Sequence, residues 1–179
     1  MSRNRLMFLR GTITEENTGD IIEQILNINL EDNSSNLVGD LESSREPIHL
    51  HIQSNGGAVL DALALVDVMK NSITPIYTYA DGYVYSAAVY IFVSGYKRFA
   101  NKHSWFLLHN MKTKLGNYTT QNISDNLEWL NMLEKQTADI LLENTKISQK
   151  QLQKINTNNL EYLFTAEQAV SDGVVDEIL

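Results

Sequence analysis

The sequence contains no cysteine, and no apolar run follows its polar start at Met1–Arg5. Without cysteine, disulfides, thiolate metal sites and a cysteine nucleophile are all excluded. No signal peptide is recognisable, and no apolar stretch is long enough to span a bilayer. These absences predict a protein without a membrane partner, from the cytoplasm, an organelle matrix, or the host cytoplasm if the source is viral.

Cationic residues are also scarce: 14 Lys and Arg stand against 22 Asp and Glu, and the formal net charge is −8. Because binding to phosphate backbones depends on cationic side chains, this balance predicts no nucleic-acid partner and makes an adaptor or nucleic-acid-binding module a distant interpretation. The 179 residues fit a single domain, 1–179, that can bury a core of its own. No internal repeat or composition shift marks a second domain.

The hydrophobic pattern alternates between strand-like and helix-like segments. Strands are predicted at 6–9, 48–52, 76–80, 98–100, 105–109 and 174–175. Helices are predicted at 14–29, from the glycine pair at 56–57 to 69, and at 86–94, 125–144 and 165–171, with a polar surface loop at 31–47. This alternation predicts an α/β domain.

Ser86 stands between a predicted strand and a buried helix. A lone serine at such a place commonly caps the helix with its side chain. The alternative is a nucleophile, since its hydroxyl would lie at the positive end of the helix dipole, and the small Ala87 and Ala88 would let a substrate backbone approach. The glycine-flanked elbow of α/β-hydrolases is absent, because Val84 and Ala88 stand where that motif has glycines.

Two further features have both a structural and a catalytic interpretation. The pair Gly56-Gly57 lies between a strand and a helix, as a tight turn or as amides directed at a developing anion. His109 ends a short apolar run, as a core histidine or as a general base. His49 and His51 share one strand face, but no third ligand is evident, so no metal site is predicted.

The order of the segments is more specific than any one of them. The segments are Ile52–Gly57, Gly82–Ser86, Lys97–Ala100, Phe106–His109 and Thr165–Asp176. This series resembles the proteolytic subunit of the Clp protease (ClpP) family from about Leu6 to Leu179, as a divergent and N-terminally short member. Asn55 stands where the family usually has proline, and Ala87-Ala88 where it usually has Met-Gly. The resemblance implies an α/β ClpP/crotonase-type fold of repeated β-β-α units with a protruding handle helix at 125–144.

The resemblance also implies a serine endopeptidase that cleaves unfolded proteins or peptides. By the residue-by-residue match, Ser86 is the nucleophile and His109 takes its proton. The backbone amides of Gly57 and Ala87 would form the oxyanion hole, and backbone donors tolerate a change of side chain at position 87.

The third member of the implied triad is a carboxylate. Glu161 stands where the family usually has aspartate, and Asp172 and Asp176 are the nearby alternatives. In the family the substrate peptide lies extended between two strand edges. The substrate-binding residues would then be Gly56, Ala58 and Met111.

The family's assembly implies a homo-oligomer, with stacked rings, usually two heptamers, around the active sites. No cofactor is implied, and ATP would be used only by a Clp-type ATPase partner. Three departures bear on regulation by that ATPase, and the second of them predicts weakened docking. The axial N-terminal hairpin is essentially missing, His49, His51 and Asn71 replace aromatic residues of the docking pocket, and the 31–47 loop is longer than usual.

Two other interpretations stay open. One is a non-catalytic or regulatory ring subunit, against which the retained Ser86, His109 and glycine pair argue. The other is a crotonase-type acyl-CoA enzyme, which shares the superfold but needs no Ser-His pair at these positions.

Overall fold

The computed structural model describes residues 5–35, 45–110, 120–157 and 161–179. Its strands are β1 (Leu6–Ile13), β2 (Ile48–Gly57), β3 (Ile76–Tyr85), β4 (Lys97–Ala100), β5 (Trp105–Leu108), β6 (Tyr162–Thr165) and β7 (Glu177–Ile178). Its helices are α1 (Glu15–Ser35), α2 (Val59–Lys70), α3 (Ala87–Val93), α4 (Thr120–Asn144), α5 (Gln149–Thr157) and α6 (Ala166–Ser171).

The strands form one sheet in the order β1-β2-β3-β4-β7, with every pair along that path parallel. The first half of β3 pairs with β4, and its second half pairs with β5. The one strand not yet described, β6, runs antiparallel to β5. A mostly parallel sheet connected by helices confirms the predicted α/β class, and it brings the ends of β3 and β5 together.

Helix α3 lies at the centre of the core. Its residues are apolar on every side, and all seven are buried. A helix with no polar face is stable only when neighbouring elements surround it, so the predicted buried helix is confirmed. Its start is therefore held rigidly where β3 ends.

Helix α4 begins at Thr120, earlier than the predicted 125. Ile140 and Leu141, in its C-terminal half, are buried in the core. Leu127 and Met132, nearer its start, are 58% and 60% exposed. The apolar residues of α4 therefore pack along part of the helix only, as expected for a helix that protrudes from the domain.

The predicted loop at 31–47 is wrong at its beginning, because α1 continues to Ser35. Asp32, near the end of this helix, pairs with Arg5 and accepts a hydrogen bond from the Thr74 hydroxyl at 2.5 Å. These tertiary contacts hold a polar helical turn that the local sequence does not favour. The rest of the predicted loop lies partly outside the described residues.

The tail also differs from the prediction. Val174 and Val175 are buried but belong to the turn after Gly173, where both amides donate to the carbonyl of Ala169 at 2.8 and 3.1 Å. The strand predicted at 174–175 is instead β7, at Glu177–Ile178. The sequence pattern also missed α5 and β6, which are short and become visible only through their packing and strand pairing.

Candidate active site

The backbone turns sharply where β3 passes into α3, and Ser86 occupies this turn. Its φ of 56° and ψ of −127° make it the one non-glycine residue with positive φ among the described residues. Such a conformation costs about 1–3 kcal/mol and persists only where the surroundings enforce it. The Ser86 side chain makes no capping hydrogen bond to α3. The structural interpretation of Ser86 as a side-chain cap is therefore wrong.

The end of β2 lies directly against this turn. A Cβ atom built on Gly56 would be 2.7 Å from the Ser86 Cβ and 3.1 Å from the Ala87 amide nitrogen. Gly56 has a φ of 85°, which glycine adopts without strain. Only a residue without a side chain lets the two backbones approach this closely, so the structure brings the glycine pair and the serine together.

The glycines end a strand and do not form the predicted helix-opening turn, because Gly57 still pairs in register with Ile13 of β1. A Cβ on Gly57 would be 2.4 Å from the Ile13 carbonyl oxygen. The Ala58 amide donates to that same oxygen at 3.2 Å, and the Ala58 carbonyl accepts from Ala62 at 3.1 Å. The Ala58 amide is therefore already used within the domain.

His109 follows β5 and reaches the same end of the sheet. The parallel pair of β3 and β5 sets Tyr85 beside Leu107, and the Ser86 amide donates to the Leu107 carbonyl at 2.8 Å. One residue, Leu108, separates that carbonyl from His109, so Ser86 and His109 both stand at the carboxyl ends of parallel strands. Ligand sites of parallel α/β sheets characteristically form there.

The His109 ring is half-buried, and its Nδ1 lies 2.6 Å from the carbonyl oxygen of Asn110. A carbonyl oxygen only accepts hydrogen bonds, so Nδ1 carries the proton in this contact. In the neutral ring Nε2 then carries a lone pair. This is the tautomer that a general base acting on a serine hydroxyl requires.

The pairing of β5 with β6 is relevant to which carboxylate could act with His109. Leu108 pairs with Tyr162 at the end of the antiparallel ladder. One further step in the same register would set His109 opposite Glu161. Residues directly opposite in such a ladder have Cβ atoms about 4.5–5.5 Å apart. Of the three candidate acids, Glu161 is the one that a continuation of this register would bring beside His109.

The two alternative acids have other partners. Asp172 accepts a hydrogen bond from the Tyr162 hydroxyl at 2.7 Å. Asp176 is paired with the Arg98 guanidinium at 2.5 Å and 3.0 Å. Although partial burial opposes ionisation of Asp176, the hydrogen bonds from Arg98 lower the pKa of its carboxyl group. Asp176 therefore holds β7 on β4, where it accepts from the Arg98 backbone as well.

His49, which is buried, and His51, which is partly exposed, lie among aromatic rings on one face of the sheet. His49 Nδ1 is 2.8 Å from the Tyr79 hydroxyl, and His51 Nδ1 is 2.8 Å from an Asp81 carboxylate oxygen. His51 also stacks on Tyr79 at 4.5 Å, and Tyr79 stacks on Phe99 at 5.0 Å. Within the described parts of the chain, no three metal-ligating side chains cluster here or elsewhere. The sequence pattern missed this aromatic row, because its rings come from different strands.

Of the two remaining predicted residues, Asn71 and Met111, the structure describes only Asn71. Asn71 ends α2, where its side chain donates to the Asp67 carbonyl at 2.8 Å. Met111 lies outside the described residues. Among the described residues, no helix combines the length and the apolar composition needed to cross a membrane.

Comparison with known proteins completes this description. The family model described as Clp protease matches residues 1–179, the whole chain. The chain belongs to the Clp protease family. A similar member is the "ATP-dependent Clp protease proteolytic subunit 2" of Corynebacterium diphtheriae, 29% identical over 99% of this chain and 83% of the relative.

Two other members of the Clp protease family carry the name "ATP-dependent Clp protease proteolytic subunit 1". The one from Corynebacterium jeikeium is 27% identical over 99% of this chain and 88% of its own length. The one from Rhodopirellula baltica is 28% identical over 98% of this chain and 72% of its own length. The family assignment agrees with the parallel sheet and with the order of motifs in the sequence.

Proposed function

We propose that this chain is a serine endopeptidase in which Ser86 is the nucleophile, His109 the general base and Glu161 the carboxylate whose charge stabilises the protonated His109. The observation that carries the proposal is the strained turn at Ser86. Its hydroxyl is not used to cap the helix, the glycine pair lies against its backbone, and its amide is bonded to the strand that leads to His109. Strain of this kind concentrates at functional sites.

The reaction follows from these positions. Ser86 Oγ attacks the carbonyl carbon of the scissile peptide bond while His109 Nε2 accepts the hydroxyl proton. The carbonyl oxygen becomes an oxyanion that accepts hydrogen bonds from the Gly57 and Ala87 amides. Collapse of this intermediate breaks the C–N bond, and His109 gives its proton to the leaving amine. Water then attacks the acyl-enzyme by the same route and releases the second product.

The oxyanion donors are backbone groups, which explains the tolerance of alanine at position 87. Ala87 is the first residue of α3, and amides in the first turn of a helix have no acceptor within the helix. Removal of one such donor typically lowers the rate about 10²- to 10³-fold. The close approach of Gly56 to the Ala87 amide supports a second donor from the neighbouring Gly57 amide.

The substrate would be an extended, unfolded polypeptide that adds to strand edges by main-chain hydrogen bonds, with little preference for sequence. Gly56, Ala58 and Met111 are its proposed neighbours. We place the sites inside a homo-oligomeric ring chamber, with a Clp-type ATPase as the partner that delivers substrates. The reaction itself uses only side chains, backbone amides and water, and needs no cofactor.

A fluorophosphonate probe tests this proposal directly, because an activated serine displaces fluoride from its phosphorus atom. The assembled wild-type protein should be labelled, and Ser86→Ala should not. Ser171→Ala is the matched control, because Ser171 is an exposed serine on α6. Absence of labelling in the assembled wild type would favour a non-catalytic ring subunit or an acyl-CoA enzyme.

Replacement of Glu161 by Gln should lower kcat for an unfolded model peptide by about 10²- to 10³-fold. Gln retains a similar shape but loses the charge that stabilises the imidazolium of His109. Steady-state kinetics measures the effect, with the exposed Glu167→Gln as a control. An undiminished rate in Glu161→Gln would remove Glu161 from the triad.

A further inference from the structure

Tyr162 is the first residue of β6 and directly follows Glu161. Its hydroxyl donates to Asp172 Oδ2 at 2.7 Å. Asp172 ends α6, and its backbone is fixed on both sides. Its carbonyl accepts from the Lys146 amide at 2.7 Å, and its own amide donates to Gln168 at 2.9 Å. The hydroxyl therefore ties the start of β6 to a rigid turn elsewhere in the domain.

The Tyr162 ring is held as firmly as its hydroxyl. It stacks on Phe164 at 4.7 Å, Phe164 stacks on Phe106 of β5 at 5.5 Å, and Phe106 packs on Phe92 of α3 at 5.2 Å. Phe92, Phe106 and Phe164 are fully buried. Partial burial and, as a smaller cause, the hydrogen bond to Asp172 raise the pKa of Tyr162 to about 12. The hydroxyl therefore keeps its proton and remains a donor at neutral pH.

Strand β6 is short, so a contact that anchors its first residue stabilises its pairing with β5. It has four residues, and the ladder with β5 ends at the pair Leu108–Tyr162. The ends of short ladders open most easily, because few hydrogen bonds hold them. Glu161 lies immediately beyond this end. Any opening at Tyr162 would carry the Glu161 carboxylate away from His109.

We propose that Tyr162 is a positioning residue: its hydrogen bond to Asp172 holds the end of the β5–β6 ladder closed and thereby keeps Glu161 opposite His109. The inference rests on the proposed function, since it assigns Glu161 to the triad. It also assigns Asp172 a role as the anchor of Tyr162.

Tyr162→Phe removes only the hydroxyl and keeps the ring stack. It should lower kcat about tenfold, the equivalent of one lost hydrogen bond, and leave KM within about twofold. Asp172→Ala should have the same effect, and the double variant should be no slower than either single one. Asp172→Asn retains an acceptor oxygen and should retain most of the activity. Tyr96→Phe, at a tyrosine that is 72% exposed, is the control and should match wild type.

Measuring the effect of Tyr162→Phe in the Glu161→Gln variant separates a positioning role of Tyr162 from an effect on general stability. If Tyr162 acts through Glu161, Tyr162→Phe should cause no further loss of kcat in that background. A tenfold loss there as well, a change confined to KM, or wild-type kinetics for Tyr162→Phe would each overturn the inference.

The rate of fluorophosphonate labelling at Ser86 distinguishes this inference from the proposed function. If the assembled wild type is not labelled, the proposed function fails and the inference fails with it. If wild type and Tyr162→Phe are labelled equally fast, the inference alone is overturned. Slower labelling of Tyr162→Phe, with an unchanged circular dichroism melt, supports both.

Discussion

Ser86→Ala, His109→Ala and the double variant are each expected to lower kcat for peptide hydrolysis by a similar factor, on the order of 10⁴ to 10⁶. The serine and its base act as a unit, so removal of the second group adds little once the first is lost. The Asn110 carbonyl fixes the His109 tautomer in which Nε2 can accept the serine proton. Steady-state kinetics on an unfolded model peptide measures all three.

His103→Ala is the matched control, because His103 lies in the exposed turn before β5. It should retain wild-type kcat. Losses that multiply in the double variant would contradict the Ser86–His109 pair, since they would mean that the two residues act independently. Peptide hydrolysis by His109→Ala at the wild-type rate would assign the base to another group.

Gly56→Ala is expected to lower the free energy of unfolding by about 2–4 kcal/mol and to lower kcat by at least about 10²-fold. The new Cβ would be 2.7 Å from the Ser86 Cβ and 2.8 Å from the Tyr85 carbonyl oxygen, and φ is 85°. Backbone must shift to relieve these contacts, and the shift moves the nucleophile. Thermal unfolding should show Tm lower by about 5–15 °C.

Gly11→Ala separates conformational strain from the close contact. Gly11 has a φ of 73°, but an added Cβ would meet no atom within 4 Å. It should therefore cost about 1–2 kcal/mol of stability from strain and leave kcat unchanged. If Gly56→Ala and Gly11→Ala had equal effects on both quantities, the contact between Gly56 and Ser86 would have no role in the site.

The row of rings formed by His51, Tyr79 and Phe99 is a feature that the local sequence pattern does not predict. The sequence predicts that His49 and His51 make the ATPase docking surface more polar. In the structure, His51 stacks on Tyr79, and Tyr79 on Phe99. Strand register produces this row, and register cannot be read from any one strand. Weak docking of a Clp-type ATPase on this aromatic surface remains a prediction.

The carboxylate is a second example. Three acids near the C-terminus have the right chemistry, and spacing along the chain does not separate them physically. The structure separates them by their contacts. Asp176 is bonded to Arg98 and Asp172 accepts from Tyr162, whereas Glu161 adjoins the end of the β5–β6 ladder, where Tyr162 pairs with Leu108.

The sequence by itself determined the α/β class, the buried helix after Ser86, and the family, because hydrophobic periodicity and the order of motifs are local properties of the chain. The tertiary structure alone decided that Ser86 is strained and does not cap its helix, that Gly56 contacts it, and that Tyr162, next to Glu161, pairs with Leu108, next to His109. These features depend on contacts between residues far apart in sequence. Such contacts arise from strand pairing and core packing, which no local pattern encodes.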